Sequence, residues 1–344
     1  MNNTVKMTNK QSYNTTGLFM LSIRLVVGWT YFSAFWRRLV LENKLDPEAA
    51  GYIGEKFNHF LPNALGIQSM IEYLVTHEAV LWWFMVAFTI IEGIAGLLFM
   101  LGLYTRLMSA IVFGLAMGIL LGAGWLGTTC LDEWQIGILG IAAGFSIFLS
   151  GSGKHSLDYV LAKNKPKLSA KKWFLWMTSG ELPLKDKMLQ KIAVIGAIAI
   201  FGLTLYTNQY FHGGVWGTLH NKSVKPLVTI NDAKIENGKL SFEVNRVEGA
   251  DVYGSFLIGV TIKDASGTVI VNHDGKQLSM IAPSMIKNKY VAKVKPGKHS
   301  LIIPLGAKAM LTFQDDELKN IGKGQYHLEL TDISGIVWKS TIVL

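Results

Sequence analysis

The 344-residue chain is 50% hydrophobic, carries only 17% charged residues and has a mean hydropathy of +0.31. That composition excludes an ordinary soluble enzyme. The formal net charge of +9 comes largely from lysines between residues 154 and 191, which favours a membrane surface over nucleic acid as the partner of these charges.

Apolar runs in the first two-thirds of the chain are about as long as the hydrocarbon layer requires. The predicted membrane spans are Gly17–Val40, Ala79–Leu101, Leu107–Gly122, Trp134–Ser150 and Ile192–Tyr210. The polar residues 1–16 show no obvious cleavage site and are interpreted as a cytoplasmic tail before a retained helix. By the positive-inside tendency, Lys6, Lys10, Arg106 and the basic linker 154–191 lie in the cytoplasm. This orientation predicts a multi-pass protein of the cytoplasmic membrane whose carboxy-terminal part lies on the periplasmic or outer side.

Two segments beside the spans have mixed polar and apolar character. Asp46–Thr76 contains Pro47 and Pro62 and is predicted to form short helices over the outer face, where they could act as a lid. In the linker, Lys171–Met177 places lysines beside Trp173 and Trp176, a pattern typical of an anchor on the membrane surface.

From Pro226 to Leu344 short alternating runs are separated by turn dipeptides such as Asn237-Gly238, which predicts an antiparallel β-sandwich. The predicted strands lie in Leu240–Val244, Ser255–Thr261, Thr268–Val271, Ser300–Ile303, Tyr326–Leu330 and Ile336–Val343. The expected fold is therefore an α+β membrane protein. A four-helix transmembrane bundle over residues 17–153 precedes the linker, and a fifth transmembrane helix at 192–210 carries the extracytoplasmic sandwich of residues 211–344. This sandwich is expected to cap or dock rather than to supply the chemistry.

The polar break before the fourth span holds Cys130, the only cysteine. A lone cysteine cannot form an internal disulfide, so it is either a small inert side chain or chemically used. The positive end of the following helix would lower its pKa, whereas Asp132 and Glu133 would raise it. These two acids are natural residues for the start of that helix, and the functional alternative makes one of them a proton acceptor beside Cys130.

Charged residues within the spans offer two further sites. Arg37 and Arg38 end the first span on the outer side, where they either snorkel to lipid headgroups or bind a small dianion. Arg24 and Glu92 each lie roughly 10–14 Å from the cytoplasmic end of their span, at about 1.5 Å per residue. A pair between them would be a structural bridge or part of a quinone and proton relay, because charges at that depth are costly unless paired.

Aromatic residues concentrate toward the predicted outer interface, where they form an aromatic belt or flank a quinone ring. They are Trp29, Tyr31, Trp36, Trp82, Trp83, Trp125 and Trp134. The histidines His59, His77, His212 and His220 lie outside the spans and show no convincing metal spacing, and no haem, flavin or Rossmann motif is evident.

The stretch Gly127-Thr128-Thr129-Cys130-Leu131-Asp132-Glu133-Trp134-Gln135 closely resembles DoxD, the membrane subunit of thiosulfate:quinone oxidoreductase. Glu92-Gly93, Leu101–Arg106 and Arg24 resemble both DoxD and the wider DoxX-like four-helix group. After the fifth helix, Phe211–Gly217, Asn221-Lys222-Ser223 and the β-rich tail resemble DoxA, the second subunit.

This resemblance implies that two thiosulfate ions are joined to tetrathionate while two electrons pass to a membrane quinone, without a bound metal, haem or flavin. In a hypothetical mechanism that these residues fit, Cys130 is the nucleophile, Asp132 or Glu133 handles the thiol proton, and Arg37 and Arg38 hold the sulfonate groups. Arg24, Glu92 and Trp134 are assigned to the quinone or to proton relay.

Two alternatives stay open at this stage. One is a non-catalytic DoxX-like scaffold for partner redox proteins, and the other is a transporter for a small anion. The expected partners are thiosulfate, quinone and lipid, and the sequence is compatible with a homo-oligomer without fixing the oligomeric state.

Overall fold

The computed structural model shows two compact units formed by interleaved segments of the chain. The first unit contains residues of Met1–Ala50, Trp83–Gly124 and Asp132–His220, and the second contains residues of Gly51–Trp82, Trp125–Leu131 and Asn221–Leu344. The residues that the structure describes are 15–49, 51–127, 132–169, 171–180, 182, 184–250 and 254–344.

Four helices within these described ranges are long and apolar enough to cross a membrane. They are α4 at Glu78–Leu101, α5 at Thr105–Ala123, α6 at Asp132–Ser150 and α10 at Asp186–Phe211. They match the second to fifth predicted spans and extend several of them by a few residues. The remaining helices are α1 at Leu21–Phe35, α2 at Gly54–Phe60, α3 at Gln68–Thr76, α7 at Leu157–Asn164, α8 at Pro166–Ser169, α9 at Lys172–Met177 and α11 at Gly275–Ser279.

The first predicted span is helical but interrupted. Residues 15–19 are helical, a turn at Met20 precedes α1, and a π-helix continues over Trp36–Leu41. The hydrogen bonds from Met20 N to Thr16 O and from Arg24 N to Met20 O, at 3.1 and 2.9 Å, keep the chain coiled through that turn. No single piece of this span therefore has the length of the four helices above.

Glycines set the register between α1 and α4. A Cβ atom on Gly96 would lie 2.5 Å from the backbone N of Phe32, and one on Gly28 would lie 2.4 Å from Cγ of Met100. Farther along, a Cβ on Gly93 would lie 2.5 Å from the ring of Phe35. The two helix backbones approach this closely only because these positions lack side chains, as at many helix contacts in membranes.

The first unit, which contains the four long apolar helices, is called the membrane unit. Within it, the buried charges of Asp158 and Arg106 join residues 154–180 to these helices. The carboxylate of Asp158 accepts hydrogen bonds from Tyr104 N at 2.7 Å and Thr105 N at 3.0 Å, so it satisfies amides at the start of α5. Arg106 donates to the carbonyl oxygens of Phe148 and Leu175 at 2.9 and 2.6 Å. Arg106 thus stabilises carbonyls near the ends of α6 and α9, which is a structural use of its charge.

The anchor segment forms the short helix α9. Trp173 and Trp176 are exposed, whereas Phe174 between them is buried. This arrangement agrees with a segment whose indoles face outward.

In the second unit, two antiparallel sheets form the predicted sandwich. One sheet has the strand order β1-β2-β8-β5, and the other has β10-β9-β3-β7-β6 with β4 paired to β3. The strands are β1 Leu227–Glu236, β2 Lys239–Glu248, β3 Ser255–Asp264, β4 Val269–Asp274, β5 Ile286–Asn288, β6 Lys295–Pro296, β7 Leu301–Ile303, β8 Lys308–Gln314, β9 Gln325–Asp332 and β10 Val337–Val343. Side chains of both sheets, such as Phe242, Val260 and Leu328, share one core.

The short helices predicted between the first two spans are α2 and α3, joined by a 3-10 turn at Leu61–Asn63. The fully buried Asn58 donates from Nδ2 to Gly306 O and accepts from Ala292 N, both at 3.0 Å. These bonds fasten α2 to the sandwich within the second unit.

Candidate functional site

Residues 125–127 come directly before the cysteine loop, which is the stretch 128–131, and they are held in place by hydrogen bonds. Cys130 and its neighbours Thr128, Thr129 and Leu131 lie outside the described residues. Trp125 is 1% exposed and donates from Nε1 to Phe60 O at 3.2 Å. The hydroxyl of Ser223 donates to the carbonyl oxygen of Gly127. Residues 125–127 are therefore held by the segment after the first span and by the start of the carboxy-terminal region.

Asp132 and Glu133 occupy the first turn of α6, the position that the sequence predicts for them. Carboxylates there are favoured by the helix dipole. Asp132 is exposed. The structural role is thus in place, and the role as proton acceptor for Cys130 stays a prediction.

The adjacent arginines Arg37 and Arg38 face different surroundings. Arg37 is exposed, whereas Nη1 of Arg38 lies 2.7 Å from Oε2 of Glu92 and 3.1 Å from Oγ1 of Thr89. The side chains of Arg38 and Glu92 are only 16% and 6% exposed. The first predicted span and α4 are therefore joined by a largely buried ion pair.

The predicted pairing of Glu92 with Arg24 was wrong. Arg24 instead donates to the carbonyl oxygens of Ser152 at 2.9 Å and His155 at 2.6 Å. A Cβ on Gly102 would lie 2.8 Å from Nη1 of Arg24, so this arginine is level with the end of α4. The two helices are offset, and Arg38, about 21 Å farther along the helix at 1.5 Å per residue, reaches Glu92 instead.

Trp134, in the first turn of α6, donates from Nε1 to Oγ1 of Thr207 at 2.9 Å. This bond ties α6 to α10. The prediction of an aromatic belt was wrong for two other residues, since Tyr31 and Trp125 are buried inside their units. Trp29, Trp36 and Trp83 are exposed, as a belt requires.

His212, which the sequence gave no role, is buried at the end of α10. Its Nε2 lies 3.0 Å from the carbonyl oxygen of Gly124, so Nε2 carries the proton in the neutral ring. Nδ1 is buried and has no hydrogen-bond partner among the described residues. Burial lowers the pKa of His212, the bond to Gly124 opposes that shift, and His220 adds to it.

Comparison with protein families accounts for both parts of the chain. Residues 19–185 match the family described as TQO small subunit DoxD, and residues 211–341 match the family described as TQO small subunit DoxA. The chain is a DoxD–DoxA fusion. Both families belong to thiosulfate:quinone oxidoreductase, so they point to an oxidoreductase of the membrane.

The compact units of this DoxD–DoxA fusion do not follow the family boundary. Residues 51–82 and 125–127 lie within the DoxD match but belong to the same compact unit as the DoxA sandwich. DoxA residues therefore contact two segments of the DoxD match: the hydroxyl of Ser223 donates to Gly127 O, and Nζ of Lys222 donates to Oδ1 of Asn63 at 3.2 Å.

Sequence reasoning noted Lys222 and Ser223 as part of a motif but assigned them no site. The signal available was their place directly after the fifth span, on the side predicted for Cys130. Across the described residues, no group of three or more side chains that could hold a metal ion lies together.

Proposed function

We propose that the DoxD–DoxA fusion is a thiosulfate dehydrogenase that passes electrons to the quinone pool. The observation that carries the proposal is the tandem match to two TQO subunit families in one chain. The single cysteine, in the loop directly before α6, supplies the thiol that the chemistry needs.

The proposed reaction balances in two steps. The Cys130 thiolate joins the sulfane sulfur of one thiosulfate, and the resulting S-thiosulfonate forms as two electrons leave to quinone. A second thiosulfate attacks the sulfane sulfur of this adduct, which releases tetrathionate and restores the thiolate. Quinone takes two electrons and two protons to become quinol, so the only oxidant is the quinone itself.

The arginines are assigned by their exposure. Arg37 is exposed and is proposed to contact the sulfonate group of thiosulfate. Arg38 is directed to Glu92 and adds positive charge beside it. Asp132 or Glu133 is proposed to take the thiol proton.

Glu92 is proposed as the centre of proton delivery to quinone. It is buried in the membrane unit beside Arg38, and intramembrane ionisable groups commonly mark proton paths. Trp134 is partly buried and is proposed to flank the quinone ring. Arg24 contacts backbone carbonyls, which supports the structural alternative for that residue.

The proposed site of action is the cytoplasmic membrane, with the DoxA region on the periplasmic or outer side. The multi-pass helices support a membrane location. The lysines of the 154–191 segment support the orientation.

The test is thiosulfate-dependent reduction of decylubiquinone by the purified protein in detergent, with Cys130→Ser beside it. We expect reduction by the native protein, tetrathionate as product, and no turnover by the variant. Reduction without Cys130 would contradict the covalent mechanism while preserving the enzyme. Absence of reduction in a folded protein would favour the scaffold, and quinone-independent thiosulfate uptake into liposomes would favour the transporter.

A further inference from the structure

One side of the sandwich is strongly basic. From Ile286 to Lys308 the chain carries six lysines and no acidic residue. Four of these lysines are exposed on or beside the strands β5 and β6, and they are called the basic face: Lys287, Lys289, Lys293 and Lys295. Since β5 and β6 are the end strands of the two sheets, the basic face lies along the edges of the sandwich.

The two edges are joined by a pair of hydrogen bonds. Asn288 of β5 donates from Nδ2 to Val294 O at 3.1 Å and accepts from Val294 N at 2.7 Å. Strand β6 begins at the next residue, Lys295. The basic face is therefore one continuous surface.

Only part of this positive charge is neutralised. Glu243 pairs with Lys289, and its Oε1 lies 3.4 Å from Nζ of Lys308. The other three lysines of the basic face form no ion pair with a residue that the structure describes. A net positive charge remains on this surface.

The basic face lies at the end of the sandwich that contacts α2 and α3, which is called the contact end. The hydroxyl of Tyr290 donates to Oε1 of Glu72 in α3 at 2.7 Å. Ala292 N donates to Oδ1 of Asn58 in α2 at 3.0 Å. Both bonds come from the segment between Lys289 and Lys293, so the basic face surrounds the contact.

The opposite end of the sandwich carries a lysine that serves as a control. Strands β2 and β8 are paired from Asn245 opposite Lys308 to Lys239 opposite Gln314. Six residues of antiparallel strand span about 20 Å. The exposed Lys239 therefore lies about that far from the contact end.

Helix α3 leads directly into a membrane span. It ends at Thr76, and α4 begins at Glu78. Glu72, which holds Tyr290, precedes Glu78 by six residues, and six residues span at most about 21 Å. Trp82 in the next turn is of a type enriched where a membrane meets water. The chain thus keeps the contact end near the place where α4 enters the membrane.

We propose that the basic face binds anionic lipid headgroups on the side of the membrane where α4 begins, and so docks the sandwich on the bilayer. A lysine close to an anionic membrane gains attraction equivalent to about fivefold in binding. Lysines on edge strands also discourage pairing with another chain. A glutamate would serve that purpose equally well, whereas anionic lipid would repel it.

The test measures how fast each lysine is methylated by formaldehyde and dimethylamine borane, which are both uncharged. The full chain is placed in nanodiscs of phosphatidylcholine alone or of phosphatidylcholine mixed with phosphatidylglycerol, and mass spectrometry of peptides resolves the sites. An ammonium must lose its proton before it reacts, and a neighbouring anion opposes that loss. Contact with anionic lipid therefore slows methylation.

We expect Lys287, Lys293 and Lys295 to react about fivefold more slowly in the anionic nanodiscs than in the neutral ones, and Lys239 to react equally in both. Concentrated salt should abolish the difference, because it screens exposed charges. Lys293→Glu should remove most of the slowing at Lys295, whereas the matched variant Lys239→Glu should leave it unchanged.

Equal rates for the basic face in both kinds of nanodisc would overturn the proposal, as would an equal slowing at Lys239. Slowing at Lys295 that survives Lys293→Glu would overturn it as well. Protection by inorganic phosphate in neutral nanodiscs would indicate a site for a free anion instead of lipid docking. Because no thiosulfate or quinone is added, each of these results is independent of the proposed function.

Discussion

The buried pair between Arg38 and Glu92 gives the sharpest test of the membrane unit. The change is a double-mutant cycle of Arg38→Met, Glu92→Leu and the combined variant. The charged atoms are 2.7 Å apart and the side chains are 16% and 6% exposed, so each single variant leaves one charge largely buried without its counterion. Removing one partner of a buried pair costs about 3–5 kcal/mol, whereas replacing both by apolar residues is often nearly neutral.

We therefore expect each single variant to lose about 3 kcal/mol or more and the double variant to lose much less. The measurement is reversible unfolding in detergent micelles. The exposed pair of Lys44 and Glu42, 3.1 Å apart, is the control, and its coupling should be at most about 1 kcal/mol. Additive losses in the Arg38–Glu92 cycle would refute the reasoning.

The same variants separate a structural bridge from a proton relay. If the pair only joins two helices, the double variant recovers quinone reduction together with stability. If Glu92 delivers protons, the double variant is stable and inactive. Thiosulfate-dependent reduction of decylubiquinone, measured on protein of matched folded fraction, distinguishes these results.

Three further predictions concern the contact between α1 and α4, the segment between the first two predicted spans, and the buried histidine. Gly96→Leu should destabilise the protein by about 1–3 kcal/mol or more through a backbone clash, whereas Gly118→Leu, where a Cβ meets nothing within 4 Å, should unfold like the parent in detergent. Asn58→Ala should cost about 2–4 kcal/mol because it leaves a buried amide N–H and a carbonyl unsatisfied, and equal proteolysis of the parent and variant would contradict this. Because burial lowers the pKa of His212, the unfolded chain binds a proton at this histidine at a higher pH than the folded protein does. The contribution of His212 to the free energy of unfolding is therefore complete above about pH 6.5 and is lost on acidification. His212→Gln should reduce this fall, which is at most about 1.4 kcal/mol per pH unit, and thermal unfolding between pH 7 and pH 5 measures it.

Several elements were predictable because their signals are local. The spans follow from apolar length, and α4 ends at Leu101 as predicted. Asn237 and Gly238 both adopt positive φ, 52° and 76°, in the turn between β1 and β2, as their residue types favour. Strand β8 was missed, although it lies between β2 and β5, because Lys308–Gln314 has Thr312 as its one β-branched residue and begins with lysine, alanine and methionine.

The charge pairing was not predictable in the same way. Counting from helix ends placed Arg24 level with Glu92, but the contacts of Gly28 and Gly96 shift the two helices along each other. Arg24 lies level with Gly102, ten residues or about 15 Å from Glu92, so the count from the helix ends was wrong by almost three helical turns.

The sequence by itself determined that this protein is a membrane bundle followed by a sandwich, with one thiol between apolar helices, because length, alternation and residue type are read along the chain. Only the tertiary structure decided that Arg38 meets Glu92, that Lys222 of the DoxA region bonds Asn63, and that Ser223 bonds Gly127. Those contacts join residues about 50 to 160 positions apart. They depend on the register between packed helices and on which loops pack against the DoxA region. Neither of these leaves a local pattern in the sequence.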